Sequence, residues 1–179
     1  MDELLDVLDS NGNYTGETIL KSDAHRLGIF HPTVHIWCYT KTGKVLLQQR
    51  GGNKKTYPLK WDVSVAGHVA AGESIELGAT REVQEEIGVT VTTDSLEKVG
   101  VFKTEKEHPN SILDCEFNHI FLCLLNENVA LTKQESEVEA LQWLSIKEFK
   151  QWIVNKSKYL VPNSQDRYEL IISNIEEKF

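Results

Sequence analysis

The sequence predicts an α/β sandwich, and three observations lead there. Ser74 and Gly88 bracket a segment with the marks of a central helix, Ser74 as N-cap and Gly88 as the residue past its end. Thr42-Gly43 joins two runs of β-forming residues, which is the clearest hairpin signal in the chain. Late in the chain Tyr168, Ile171, Ile172 and Ile175 recur with helical spacing. Strands mixed with one central and two late helices fit helices packed on a sheet. At 179 residues the chain is expected to form one domain spanning 1–179.

The elements are expected in this order. Leu4–Leu8 reads as a short strand closed by the turn Ser10–Asn13, and Tyr14–Ile19 as a second. His31–Tyr39 and Lys44–Arg50 form the hairpin arms. Arg50–Lys60, bearing glycines and lysines, is a loop, and Trp61–Val65 leads toward the central helix. Val99–Thr104 is β-branched enough for a strand, with a polar loop at Glu105–Asn110. Leu113–Leu125 is a long apolar strand and Ala140–Leu144 another. Ile146–Val154 and Ser164–Lys178 are helices. There is no internal repeat or low-complexity tract.

Composition narrows the function classes. Hydrophobic content of 40% and charged content of 26% are ordinary for a soluble globular protein. A net charge of −8 argues against a nucleic-acid polymer or an anionic membrane as partner, because phosphate contacts need a basic surface. No run is long and apolar enough to span a bilayer. The acidic start, MDELLDVLDS, is unlike a secretory signal and points to the cytoplasm. Cys38, Cys115 and Cys123 are odd in number and lack metal-motif spacing, so they read as reduced, mostly buried thiols.

The most informative stretch is GHVAAGESIELGATREVQEEIGV, Gly67 to Val89. At about 100° per residue, Glu82, Glu85 and Glu86 share one helix face, while Ala79, Val83 and Ile87 form the buried stripe. Three neighbouring acids are either a solvated face or a site for a cation of the Mg²⁺ or Mn²⁺ kind. The segment resembles the Nudix hydrolase box, G-x5-E-x7-R-E-U-x-E-E-x-G-U with U aliphatic. Gly67, Glu73, Arg81, Glu82, Val83, Glu85, Glu86, Gly88 and Val89 match all nine specified positions.

The resemblance implies an α/β/α sandwich with a mixed sheet and hydrolysis of a nucleoside diphosphate linked to another moiety. It implies Mg²⁺ or Mn²⁺ held by Glu82 and Glu86, with Glu85 assisting and the Gly67 carbonyl contributing. Glu73 would act through a water or as a support, and Arg81 would orient the acids by ion pairing in preference to touching the substrate. The acidity of the chain fits, because the cation supplies the positive charge that a diphosphate needs. The general base is open in such enzymes, and Glu105 and Glu107 are candidates that also read as ordinary surface acids.

A second resemblance covers more of the chain. WDVSVAGHV, with His25 and His31, is similar to the isopentenyl diphosphate isomerase branch of the same superfamily. That branch implies a second divalent-metal site from His25, His31, His68, Asp114 and Glu116, the last two sharing one side of a strand. The chain departs from the isomerase where it matters for isomerisation. Ala66 stands where that branch has a proton-transferring cysteine, and Asn163 lies near its shielding aromatic residue. His35 and His119 read as structural. Phe30, Trp37, Tyr57 and Trp61 are candidate contacts to the rest of the substrate and equally candidate core residues. Beyond the hydrolase, an isomerase and a non-catalytic nucleotide-binding module remain as alternatives, and homodimerisation stays open.

Overall fold

The computed structural model describes residues 2–163 and 165–179. Strands β1 (Leu4–Leu8) and β2 (Tyr14–Leu20) pair as a separate antiparallel hairpin. Helix α1 (Lys21–Leu27) follows, then β3 (His31–Tyr39), β4 (Lys44–Arg50), β5 (Trp61–Asp62) and β6 (Val65–His68). Helix α2 (Ile75–Ile87) precedes the long arms β7 (Leu96–His108) and β8 (Ile112–Leu124). The chain ends with β9 (Val138–Ser145), α3 (Ile146–Asn155) and α4 (Gln165–Glu176).

The seven strands β3 to β9 form one mixed sheet, with β3 parallel to β8 and antiparallel to β4 and β6. Strand alternation divides the core in two. Val34, Ile36, Cys38, Phe121 and Cys123 face α2, where Ala79, Val83 and Ile87 meet them. Trp37, Tyr39, Ile120 and Leu122 face the other way, against Phe149 of α3 and Tyr168, Ile171 and Ile175 of α4. The sheet therefore has helices on both sides, as the sequence predicts.

Helix α2 is bounded as expected. The Ser74 hydroxyl accepts from the Leu77 N–H at 3.3 Å. Gly88 caps the other end at φ 72°, where a side chain would also run into Thr132.

Three expectations need correction or completion. The polar loop predicted at Glu105–Asn110 is strand as far as His108, and only Pro109–Ser111 turn the chain. Its residues are polar on both faces because one borders a cleft and the other solvent, so apolar alternation is absent although β8 pairs the backbone throughout. Helix α1 is not predicted at all: seven residues are too few to show a period. The last helix agrees in place, although Ser164 at its predicted start lies outside the described residues. No helix among the described residues is long and apolar enough to cross a membrane.

Candidate active site

Along the face of β3 and β8 that packs on α4, side-chain chemistry changes abruptly. Trp37, Tyr39, Ile120 and Leu122 are core, but His31, Thr33 and His35 on β3 and Asp114, Glu116 and Asn118 on β8 continue the same face as polar groups. Parallel register sets His31 beside Glu116 and Thr33 beside Asn118. Of these, Thr33, His35, Asp114, Glu116 and Asn118 border a cleft of about 1440 Å³ that also takes in Gly67, Arg81, Glu82 and Glu85, with His31 buried behind them.

Two clusters of donors meet in this cleft. The first belongs to α2 and β6. Arg81 is its hub: Nε and Nη2 donate to the two Glu73 oxygens at 3.1 and 2.9 Å. Its Nη1 donates to Glu82 at 2.8 Å and Glu85 at 3.1 Å, and Nη2 also reaches the His68 carbonyl at 2.8 Å. Arg81 therefore ion-pairs with Glu73, Glu82 and Glu85, and Glu73 also accepts from the Ala70 N–H at 3.1 Å.

Glu82 and Glu86 are 8% and 2% exposed, whereas Glu85 is open to solvent. Glu86 accepts from Gln48 Nε2 at 2.9 Å and the Ala66 N–H at 3.0 Å. Burial raises Glu82 to about 7, with Glu85 adding repulsion against the pull of Arg81. Burial and the nearby Glu82 charge raise Glu86 to about 8. Gly67 lies against the Glu82 carboxylate, in space no side chain could share. Buried carboxylates that resist ionisation, kept in place by donors at the edge of a cleft that Glu82 and Glu85 line, suit a divalent cation, whose charge would reverse that resistance.

The second cluster joins α1, β3, β6 and β8. One donor atom from each of His25, His31, His68 and Glu116 lies within 4.8 Å of the other three. His25 Nε2 and His68 Nε2 are 3.1 Å apart. Burial lowers His31 to about 4 and places His68 well below its ordinary value, so both rings are neutral and able to coordinate. Four of the five residues expected from the sequence converge. The fifth, Asp114, stands behind His25, with Oδ1 3.1 Å from its Nδ1.

Glu105 and Glu107 pair opposite Cys115 and Leu113, on the other face of the hairpin from Asp114 and Glu116, although Glu105 still borders the rim of the cleft. Of the aromatic candidates, Trp37 is core, Trp61 packs on Trp152 and Phe30 on Phe117, while Tyr57 borders the cleft. Sequence reasoning missed Gln48, His108, Asn118 and Arg167, all joined to the acids directly or through one neighbour. Asn118 was accessible in principle, being two residues beyond Glu116 on the same strand.

Residues 29–163 match the family model described as the NUDIX domain. The chain belongs to the Nudix hydrolase family. This Nudix chain is 34% identical over 166 residues to Nudix hydrolase 3 of Arabidopsis thaliana, covering 90% of its own length but only 22% of that protein's. It is also 29% identical over 175 residues to isopentenyl-diphosphate Delta-isomerase 2 of Photorhabdus laumondii, covering 98% of the chain and 91% of the relative. A crystal structure from Deinococcus radiodurans shares the fold with a TM-score of 0.69 at 18% identity, each chain covered to 99%. The Nudix model stops short of both termini of the cleft: His25 precedes it and Arg167 follows it.

Proposed function

We propose that this Nudix hydrolase cleaves a nucleoside diphosphate linked to another moiety, by attack of water at phosphorus, with Mg²⁺ or Mn²⁺ bound at the box. The observation that carries this reading is the pair Glu82 and Glu86, both buried and both raised by burial, Glu82 lining the cleft and Glu86 just behind it on the same helix face. Together with Glu85 and the Gly67 carbonyl they would hold the cation. When bound, it would neutralise diphosphate charge and lower the pKa of a water.

The chain's own residues do the rest. Arg81 holds Glu82 and Glu85 while Glu73 anchors Arg81, and Gln48 with the Ala66 N–H fixes one oxygen of Glu86. A preset ligand frame of this kind keeps the acids from reorganising when substrate arrives. By the isomerase resemblance, His25, His31, His68 and Glu116, with Asp114, would hold a second cation in the same cleft. Isomerisation itself is disfavoured, because the Ala66 methyl group cannot carry a proton to or from carbon.

The test is release of phosphate or pyrophosphate from a panel of nucleoside diphosphate compounds and isopentenyl diphosphate, with Mg²⁺ or Mn²⁺. Turnover that disappears in Glu86→Gln, with the fold retained by circular dichroism, is the expected result. Ligand-induced stabilisation with no turnover would indicate a binding module. Conversion of isopentenyl diphosphate without phosphate release would indicate an isomerase.

A further inference from the structure

The polar groups of the cleft do not end at the two clusters. Along β3 every residue is buried except His35, which opens onto the cleft just before the core residue Trp37. Antiparallel register sets it beside Ala66, whose N–H donates to Glu86, and parallel register sets it opposite Ile120 of the core. The ring therefore stands between the box and the core, which departs from the structural role expected of it. Packing alone would be served by an apolar side chain at this place. The His35 ring makes no hydrogen bond among the described residues. Burial holds it at about 4, so it is neutral and presents one N–H donor and one lone pair.

Its charged neighbours are Asp62, Arg167 and Arg50. Asp62 is 7% exposed and also lines the cleft. Its Oδ2 accepts from Arg50 Nη1 at 3.2 Å and its Oδ1 from the Val63 N–H at 2.9 Å, and a carboxylate has capacity for more. Arg167 donates to Asn163 Oδ1 at 3.0 Å and to Asn118 Oδ1 at 3.2 Å, so amides border the same region.

These groups discriminate among the moieties that a diphosphate can carry. An isoprenoid chain would strip water from His35 and Asp62 and return no hydrogen bond. A second anionic group would meet the Asp62 carboxylate. A flat base needs an aromatic face, and the Phe102 and Tyr57 rings that border the cleft each carry a cation there: Arg167 at 4.7 Å and Lys106 at 4.8 Å. A hydroxyl group fits, because it can donate to Asp62 and accept from His35, or the reverse at the imidazole lone pair.

We propose that His35 and Asp62 are specificity-determining residues that read hydroxyl groups on the moiety joined to the diphosphate, so that the preferred substrates carry a sugar or similar polyol there. The inference rests on the hydrolase reading and names its substrate class. A site whose buried groups hydrogen-bond a hydroxyl rejects an analogue lacking it, since those groups are then left unpaired.

The test compares three compounds that share ADP and differ in what is joined to it: ADP-ribose, ADP itself and the isopentenyl ester of ADP, each with Mg²⁺ or Mn²⁺. For the native chain, kcat/KM for ADP-ribose should exceed that for either of the others by roughly 10–100-fold. His35→Phe should erase most of this ratio, chiefly through KM, whereas His35→Gln, which keeps a donor and an acceptor, should retain much of it. Asp62→Asn should lower the ratio as well. A native ratio near one, or a ratio unchanged in His35→Phe, would overturn the proposal. Should His35→Phe fail to fold, the native ratio and its fall in Asp62→Asn decide in its place. Absence of turnover with every compound would sink the hydrolase reading alone, and the same ratios taken from calorimetric Kd values would then judge the subsite.

Discussion

Gly67 and Glu82 claim the same space: a Cβ built on Gly67 would lie 2.0 Å from Glu82 Cδ and 2.3 Å from each carboxylate oxygen. Gly67→Ala must therefore push Glu82 out of its place beside Arg81. A displacement of about 1 Å at such a site costs on the order of 100-fold in rate. We expect kcat to fall by about that factor in Gly67→Ala, with the circular dichroism spectrum unchanged. Normal turnover would mean that Glu82 works from another position.

Arg81 serves Glu73, Glu82, Glu85 and the His68 carbonyl through one planar fork. A lysine carries the charge but not the fork, so Arg81→Lys is not a conservative change. Denaturant midpoints should register a loss of about 1–3 kcal/mol. A loss near zero would show that the bonds exchange readily with water at this half-buried position.

Asn118 links Arg167 to Glu116: it accepts from the first at 3.2 Å and donates to the second at 2.7 Å. In Asn118→Asp the donor becomes an acceptor and a second carboxylate faces Glu116. Destabilisation of about 1–3 kcal/mol is expected in metal-free protein, read by thermal or chemical unfolding. Unchanged stability would indicate that the network is not what holds Glu116.

Burial, helped by Lys98, lowers His119 to about 4. Unfolded, the same ring titrates near about 6.5. Between those values the unfolded chain takes up a proton that the folded one refuses, so the contribution of His119 is present above about pH 6.5 and is lost as pH falls toward about 4. His35 behaves alike and for the same reason. Unfolding midpoints followed over this window should fall less steeply in His119→Gln than in the native chain. Identical slopes would place the His119 ring in water.

The box and the helix that carries it were legible because local chemistry specifies them. Ser74, Gly88 and the stripe of Ala79, Val83 and Ile87 act within a few turns of one another. The pairing of Arg81 with the acids was equally local. His108 and Arg167 were not readable, since what gives them meaning is tertiary. His108 meets Asp114 across a hairpin whose strand the sequence hid behind polar residues, and Arg167 arrives from α4, distant in sequence but packed on the same face of the sheet as Asn118. Asp114 shows the intermediate case: strand alternation gave its face correctly, but only distances reveal that both its oxygens are already taken.

Parallel pairing of β3 with β8 has a consequence for assembly. One register aligns Trp37 with Leu122 and Cys38 with Cys123 in the core, and the same register aligns His31 with Glu116. A slip of one residue would turn Glu116 to the α2 side and exchange Ile120 and Leu122 with Phe121 and Cys123 between the two cores, where neither set fits its new neighbours. The donors therefore cannot be misaligned while the core is correctly built. Alignment of the proposed ligands is thus enforced by apolar contacts several residues away, and a chain that has packed its core has already aligned its polar cleft.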